Sequence, residues 1–357
     1  MKVNKIELKG FRNINEMCIE PDSAVNIIYG ENAQGKTNIL EGIWLFSGLK
    51  SFRGAKDKEL VRFGDNFSRI KLDFDAFSRT QKAEITVINK RAATLNGVTL
   101  PSPTALMGKF NTVIFSPSFM SVIKDGPAER RKFIDAAICQ LRPNYAKILS
   151  EYNRLLQQRN AVLKDISLNA QLYDMLDIID EKLSLSGQAV IDWRKEYLKD
   201  LTPFIIDIYG GLSSGREEIS FNYIKKSDEG NEKALSDILK EHRREDVLNK
   251  ITLAGPHRDD IEILLNGISA RSFGSQGQQR SCALALKLGE AAVIERETGE
   301  KPVILLDDVM SELDILRQDY ILNHIKDRQV FITCCDPSAV LRLLGGKTFN
   351  ISKGEIV

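Results

Sequence analysis

The sequence predicts an α/β protein interrupted by a mainly helical insert, and three observations carry that reading. Short strand-like runs occupy both ends of the chain, a glycine-rich loop follows an early strand, and the middle switches to long stretches of helical periodicity. At 357 residues the chain can hold two or three core-bearing units. We divide it where the pattern changes, into an N-terminal lobe (1–116), a mainly helical insert (117–250) and a C-terminal lobe (251–357).

In the N-terminal lobe Val3, Ile6 and Leu8 alternate with Asn4, Glu7 and Lys9, as a half-buried strand requires. The apolar run Ala24 to Tyr29 ends at Gly30, and a helix is expected from Lys36 to about Lys50. Ile70 to Phe74 and Ala83 to Ile88 read as strands, with Asn96-Gly97 as a hairpin turn. Pro127 suits a helix start, and Arg142-Pro143 breaks the helical pattern. Tyr145, Ile148, Leu149, Tyr152 and Leu155, then Leu172, Met175, Leu176, Ile179 and Leu183, recur at helical spacing and predict helices packed on one another. Phe221 to Ile224 reads as a strand and 231–248 as a polar helix. The C-terminal lobe reads as a strand Ile261 to Leu265, the turn Asn266-Gly267, a helix over 277–297, a strand Val303 to Leu306, a helix over 311–326 and a strand Val330 to Thr333.

No apolar run approaches the roughly 18 residues that span a bilayer, and the charged start lacks a signal peptide's apolar core, so a cytoplasmic protein without a membrane partner is expected. Five cysteines (Cys18, Cys139, Cys282, Cys334, Cys335) without CxxC spacing indicate neither a disulfide framework nor a zinc site. Fifty basic residues against 49 acidic ones give a net charge of +1, so any DNA binding must come from local patches. Arg53, Lys56, Lys58, Arg62, Arg69, Arg130, Arg131, Arg154 and Arg159 are candidates for a phosphate-tracking surface.

Gly30-Glu31-Asn32-Ala33-Gln34-Gly35-Lys36-Thr37 matches G-x-x-x-x-G-K-[ST], directly after an apolar strand and directly before a helix. In that pattern backbone N–H groups curl round the β-phosphate of ATP, Lys36 bridges the β- and γ-phosphates, and the Thr37 hydroxyl ligates Mg2+. The run Val303 to Leu306 ends in Asp307-Asp308, where an open α/β sheet places its ligand crevice. Asp307 would complete the Mg2+ shell and Asp308 would orient or deprotonate the attacking water; an ordinary helix cap is the alternative for such a strand end. Ser272 to Arg280 is a small, polar loop running into an apolar helix, a second anion-ready helix start, or a plain cap at Ser275. His257 and Arg258 could contact phosphate or DNA, or could fix their Gly-Pro loop.

Ser275-Gln276-Gly277-Gln278-Gln279 resembles the ABC signature motif, and Ser311-Glu312-Leu313-Asp314 resembles the D-loop that follows the second nucleotide motif in that class. With a helical insert between Lys36 and Asp307, the layout is similar to the split ATPase head of SMC proteins. Gly10-Phe11-Arg12-Asn13, Phe115-Ser116-Pro117, Gly126 to Arg131 and Gly255 to Asp260 extend the resemblance, over nearly the whole chain, to the RecF family. The resemblance implies an ABC/SMC-type P-loop ATPase head that dimerises with ATP. In such a dimer Ser275, Gly277 and Gln278 reach the partner's γ-phosphate, and Arg12 and Asn13 approach the nucleotide. It further implies action on DNA at single-strand gaps and single/double-strand junctions, with RecR and RecO, to help load RecA onto protein-coated single strands. Asp308 stands where transporters of the class usually have Glu, and Cys334 where they place a switch histidine, so slow, DNA-stimulated hydrolysis acting as a switch is expected. An SMC-like structural clamp on DNA and, with less support, a transporter's nucleotide-binding subunit are the competing readings.

Overall fold

A computed structural model describes residues 1–166, 171–225, 233–338, 340–341 and 345–357. The chain opens with β1 (Lys2–Phe11) and β2 (Ile14–Ile19); buried Ile6, Leu8 and Gly10 alternate with Glu7 and Lys9 as the pattern predicts, and the alternation breaks between Val3 and Lys5, where the pairing register shifts. The strand β3 (Val25–Tyr29) and helix α1 (Lys36–Trp44) follow. Helix α1 stops short of the expected Lys50, because the 3-10 turn Leu45–Ser47 ends at Gly48 with φ +80°. A Cβ at Gly48 would lie 2.7 Å from the Met107 nitrogen, so the chain turns there in a way open only to glycine.

Strands β4 (Ser68–Ala76), β5 (Arg79–Val87), β6 (Arg91–Leu95) and β7 (Val98–Thr99) join the first two in an antiparallel sheet ordered β2-β1-β4-β5-β6-β7. Asn96 and Gly97, both at positive φ, make the β6–β7 turn. After β8 (Thr112–Phe115) come the helices α2 (Ser121–Lys124), α3 (Pro127–Leu141), α4 (Pro143–Asp165) and α5 (Leu172–Ser213). Proline stands at the first turn of both α3 and α4, where its missing N–H costs nothing. Strand β9 (Ile219–Ile224) and helix α6 (Leu235–Asn249) follow; positions 231 and 232 of the expected polar helix lie outside the described residues.

The chain continues through β10 (Asp260–Leu265), β11 (Ile268–Ser269), α7 (Ala270–Phe273), α8 (Gln276–Thr298), β12 (Val303–Asp307), α9 (Ile315–Ile325), β13 (Val330–Cys334), β14 (Lys347–Ser352) and β15 (Glu355–Ile356). Helix α9 begins four residues later than the sequence pattern suggests, because the Asp314 side chain accepts from the Arg317 N–H and caps it there. Strand β9 pairs antiparallel with β10, which also pairs with β11.

A second sheet, ordered β15-β14-β3-β13-β12-β8, draws its strands from both ends of the chain, and all but β15 run parallel. Both of its faces are covered. Ile27, Ile304, Leu306 and Ile332 pack toward the helices, including Cys282, Leu286 and Ile294 of α8. Ile28, Leu305 and Phe331 face α1 and the antiparallel sheet. Continuous apolar runs rather than alternation are what such a doubly covered sheet demands.

Salt bridges tie the helical layer together. Arg159, fully buried, donates to Asp180 at 2.6 Å, Asp246 at 2.6 Å and Thr252 at 2.9 Å. Buried Arg130 clasps Asp260 at 2.8 and 3.0 Å. These contacts remove Arg130 and Arg159 from the surface expected to track phosphates, since both guanidiniums are spent inside the protein.

The Gly-Pro loop is likewise held from several sides. Arg194 donates to the Pro256 carbonyl, Arg131 to the Asp259 carbonyl, and His257 bonds the Tyr152 hydroxyl at 2.6 Å and the Thr252 carbonyl at 3.1 Å. Arg258 also reaches the Thr252 carbonyl, so His257 and Arg258 both serve to fix the loop. Burial, with Arg258, Arg131 and Arg159 nearby, pulls the His257 pKa from 6.5 down to about 4 against the opposing hydrogen bond to the Thr252 carbonyl. A base depressed on folding contributes stability that is present above its unfolded pKa and lost as pH falls through the folded one. Acid titration of the thermal midpoint should therefore show a loss between pH 6.5 and about 4. His257→Gln should make the loss shallower; an unchanged slope would exclude His257 as its source.

Candidate nucleotide site

The loop 30–37 joins the C-terminal end of β3 to α1, at the edge of the parallel sheet where the strand ends of β12 and β13 also arrive. Gly30 has φ +146°, and a Cβ there would fall 2.3 Å from the Ile351 oxygen of β14. Gly35 has φ +112° and abuts the Asn13 side chain. Ala33 also sits in the left-handed region, at φ +64°, a strain of the kind that collects at functional loops.

The loop is clamped from outside. Asn13 Nδ2 donates to the Gln34 carbonyl at 3.1 Å, the Gly354 N–H donates to the same oxygen at 3.0 Å, and the Lys353 N–H reaches Gln34 Oε1 at 2.6 Å. Asn13 thus touches the loop directly. Arg12 does not: its guanidinium makes a bidentate pair with Glu41 at 2.7 and 2.8 Å and donates to the Glu59 carbonyl. Glu41 is fully buried on α1 and also accepts from Ser51, so Arg12 braces the helix behind the loop.

Inside the loop, Lys36 Nζ donates to the carbonyls of Gly30 at 2.5 Å and Glu31 at 3.0 Å. Thr37 Oγ1 donates to Asp307 Oδ1 at 2.7 Å, and Thr333 Oγ1 donates to the same oxygen at 2.9 Å. Asp307 is buried, and burial raises its pKa against the pull of those two hydroxyls. Asp308 has φ +53°; its N–H donates to Thr333 Oγ1 at 2.9 Å, and Ser311 donates to its carbonyl at 2.8 Å. Lys36, Thr37, Asp307 and Asp308 therefore meet at one sheet edge. A cationic amine, a hydroxyl and a buried carboxylate suit a phosphate and a hard divalent cation. Thr333 was missed in the sequence because a threonine inside an apolar strand reads as β-branched filler. Cys335 Sγ lies 3.6 Å from Lys36 Nζ, while Cys334 is buried at the end of β13.

Ser275 caps α8 in a reciprocal capping box, with the Gln278 N–H on Ser275 Oγ and the Ser275 N–H on Gln278 Oε1. Gln278 Nε2 donates to Glu217 at 2.6 Å. Arg317 donates to the Gly277 carbonyl at 3.0 Å and to Ser281 at 2.9 Å while pairing with Asp314. Among the described residues no hydrogen bond joins Ser275, Gly277 or Gln278 to the loop 30–37, and Ser275 is exposed. The cap at Ser275 is thus present, and its residue is exposed.

Gly30→Ala should weaken nucleotide binding about tenfold or more, the equivalent of the ~1–3 kcal/mol of strain that a β-carbon in this backbone region imposes. Equilibrium binding of a fluorescent ATP analogue measures it, and unchanged affinity would show that the tight approach to Ile351 does not shape the loop.

The family model described as RecF/RecN/SMC N terminal domain matches residues 2–343. A protein of Agathobacter rectalis named DNA replication and repair protein RecF is 40% identical over 100% of this chain and 99% of its own length. One of Acetivibrio thermocellus with the same name is 41% identical over 94% of each chain. A solved structure described as the recombination mediator protein RecF-ATP in the RecFOR pathway superposes with a TM-score of 0.92 at 38% identity, covering 100% of this chain and 97% of that one. The Pyrococcus furiosus Smc head domain, at TM-score 0.56 and 18% identity, shares the fold. By full-length identity, family match and architecture, the chain belongs to the RecF family of SMC-type ATPases.

Proposed function

We propose that this chain is an ATP-dependent, DNA-binding recombination mediator. The observation that carries the nucleotide part is the 2.7 Å contact between Thr37 and Asp307, which joins the glycine-rich loop to the acidic strand end. Backbone N–H groups of residues 30–37, with the Lys36 amine, would hold the phosphates of ATP, and Thr37 and Asp307 would hold Mg2+. The bound cation would supply charge neutralisation at the phosphates. Asp308 would position the attacking water, and its short side chain on a strained backbone favours slow turnover suited to a switch. Asn13 would support the nucleotide through the loop it clamps. Arg12 would act through Glu41 and α1 or turn toward the nucleotide on binding.

Ser275, Gly277 and Gln278 would complete the site of a second copy, because they stand at the surface and do not reach the loop of their own chain. The head would comprise 1–116 and 251–357, with 117–250 as the helical insert. By analogy with the relatives named for DNA replication and repair and for the RecFOR pathway, the ATP-bound homodimer would act in the cytoplasm on single-strand gaps and single/double-strand junctions. There it would work with RecR and RecO in loading RecA.

Light-scattering mass without nucleotide, with ATP, and with ATP plus gapped DNA tests this reading. ATP should produce dimers that DNA favours; Lys36→Met and Ser275→Arg should remain monomeric, and Asp308→Asn should prolong the dimer. A mass that ignores ATP while nucleotide still binds would sink the composite site, and turnover in the hundreds per second would sink the switch.

A further inference from the structure

A cleft of about 940 Å³ opens between the segment 49–54, which follows α1, and the helices α3, α4 and α5. Its volume lies within the range of pockets that bury a small organic ligand, about 300–1,000 Å³. None of Lys36, Thr37, Asp307 or Asp308 lines it, so it is separate from the nucleotide site.

Two features define what could occupy it. The first is charge. The lining carries three carboxylates, and each is already matched: Glu129 with Lys132 at 3.4 Å, Asp135 with Arg194 at 2.8 Å and Glu290 with Lys287 at 2.8 Å. Lys50, Arg53 and Arg131 also line the cleft; Arg53 lies 3.8 Å from Glu41 outside the lining and Arg131 interacts with Asp135 within it, but six basic side chains against three carboxylates leave the lining positive, which favours an anion. The second is aromatic surface. Trp44 and Phe52 contribute an edge-to-face pair at 6.2 Å from one side, and Phe119 and Phe133 another at 5.2 Å from the insert. Asn153 adds an exposed amide with no hydrogen-bond partner among the described residues, suited to the edge of a base. Trp44 and Phe133 are buried and Lys287 Nζ lies over the Phe119 and Phe133 rings at 4.4 and 5.0 Å, which leaves half-buried Phe52 and the outer side of Phe119 for contact. Aromatic rings beside excess positive charge are the chemistry by which proteins hold unpaired bases and their phosphates.

We propose that this cleft takes an unstacked nucleotide of a single DNA strand, its base against Phe52 and Phe119 and its phosphates on Lys50, Arg53 and Arg131. The assignment rests on the DNA-binding reading above and names a site for the single-stranded part of the substrate. The cleft is also wired to the nucleotide loop. Arg53 donates to Asn38 at 2.9 Å, Asn38 to Asn13 at 2.7 Å, and Asn13 to the Gln34 carbonyl at 3.1 Å. A phosphate drawing on Arg53 is thus three hydrogen bonds from the loop.

Trp44 is one of two tryptophans, so Trp193→Phe leaves it as the sole reporter. In that background, oligothymidylate should change Trp44 fluorescence saturably, and thymidine monophosphate or inorganic phosphate should do so only at much higher concentration. Phe52→Ala and Lys50→Glu, at a half-buried ring and an exposed amine of the segment after α1, should each weaken the strand's binding roughly tenfold, while the ATP-dependent mass change on gapped DNA persists. No fluorescence response, equal affinity for the free mononucleotide, or undiminished binding by both variants would overturn the proposal. Loss of the ATP-dependent dimer with the fluorescence response intact would count against the composite ATP site instead, so the two failures are distinguishable.

Discussion

Everything at the sheet edge depends on parallel pairing between strands that are far apart in sequence. β13 pairs with β3 on one side and β12 on the other, so that Ile28 stands opposite Thr333 and Thr333 opposite Asp307. This register lets Thr37, just beyond β3, meet Asp307 across 270 residues of chain. A one-residue slip would turn Asp307 and Thr333 to the opposite face. Slippage is opposed by burial of both faces, since Leu305 and Leu306 each enter a different apolar core. The site is therefore a property of the core packing as much as of its own residues.

The contacts around Asp307 form an ordered chain of donors. The Asp308 N–H bonds Thr333 Oγ1, the Thr333 hydroxyl donates to Asp307 Oδ1, and Thr37 donates to the same oxygen. Each hydroxyl has one proton to give, and both are spent on one carboxylate oxygen, whose negative charge is thereby supported in a buried setting. The left-handed backbone at Asp308 follows from the same arrangement, because the chain must turn sharply for its N–H to face Thr333. Arg317 performs the comparable task at the other surface, linking the Gly277 carbonyl, Ser281 and Asp314 so that two loops on separate elements are held as one unit.

Much of this was legible in the sequence, for physical reasons that differ by element. The glycine-rich loop and the strand ending at Asp307 were readable because each needs its residues contiguous and its flanking pattern regular. The hairpin turns at Asn96-Gly97 and Asn266-Gly267 were readable because positive φ restricts residue choice so strongly. The end of α1 was not, since Gly48 matters through a close approach to Met107 that no local pattern reveals. Burial of Arg130 and Arg159 was equally hidden: an arginine on a polar helix face and one facing Asp180 and Asp246 have the same sequence signature. Arg12 shows the same limit, its partner Glu41 being readable only as one more charge on a helix.

That Arg12–Glu41 pair carries a consequence for how the head is built. Glu41 is fully buried, and an uncompensated carboxylate there would be costly, so the guanidinium of Arg12, just after β1, stabilises the helix that follows the nucleotide loop. Ser51 and Arg53 approach the same carboxylate from the segment after α1. One buried charge thus gathers the antiparallel sheet, the loop's helix and the wall of the cleft into a single network. Any rotation of α1 must rearrange the partners of Glu41, whose cationic neighbours are Arg12 and Arg53. Arg53 is the more exposed of the two and already shares its donors with Asn38, so Arg12 is the fixed partner and Arg53 the adjustable one.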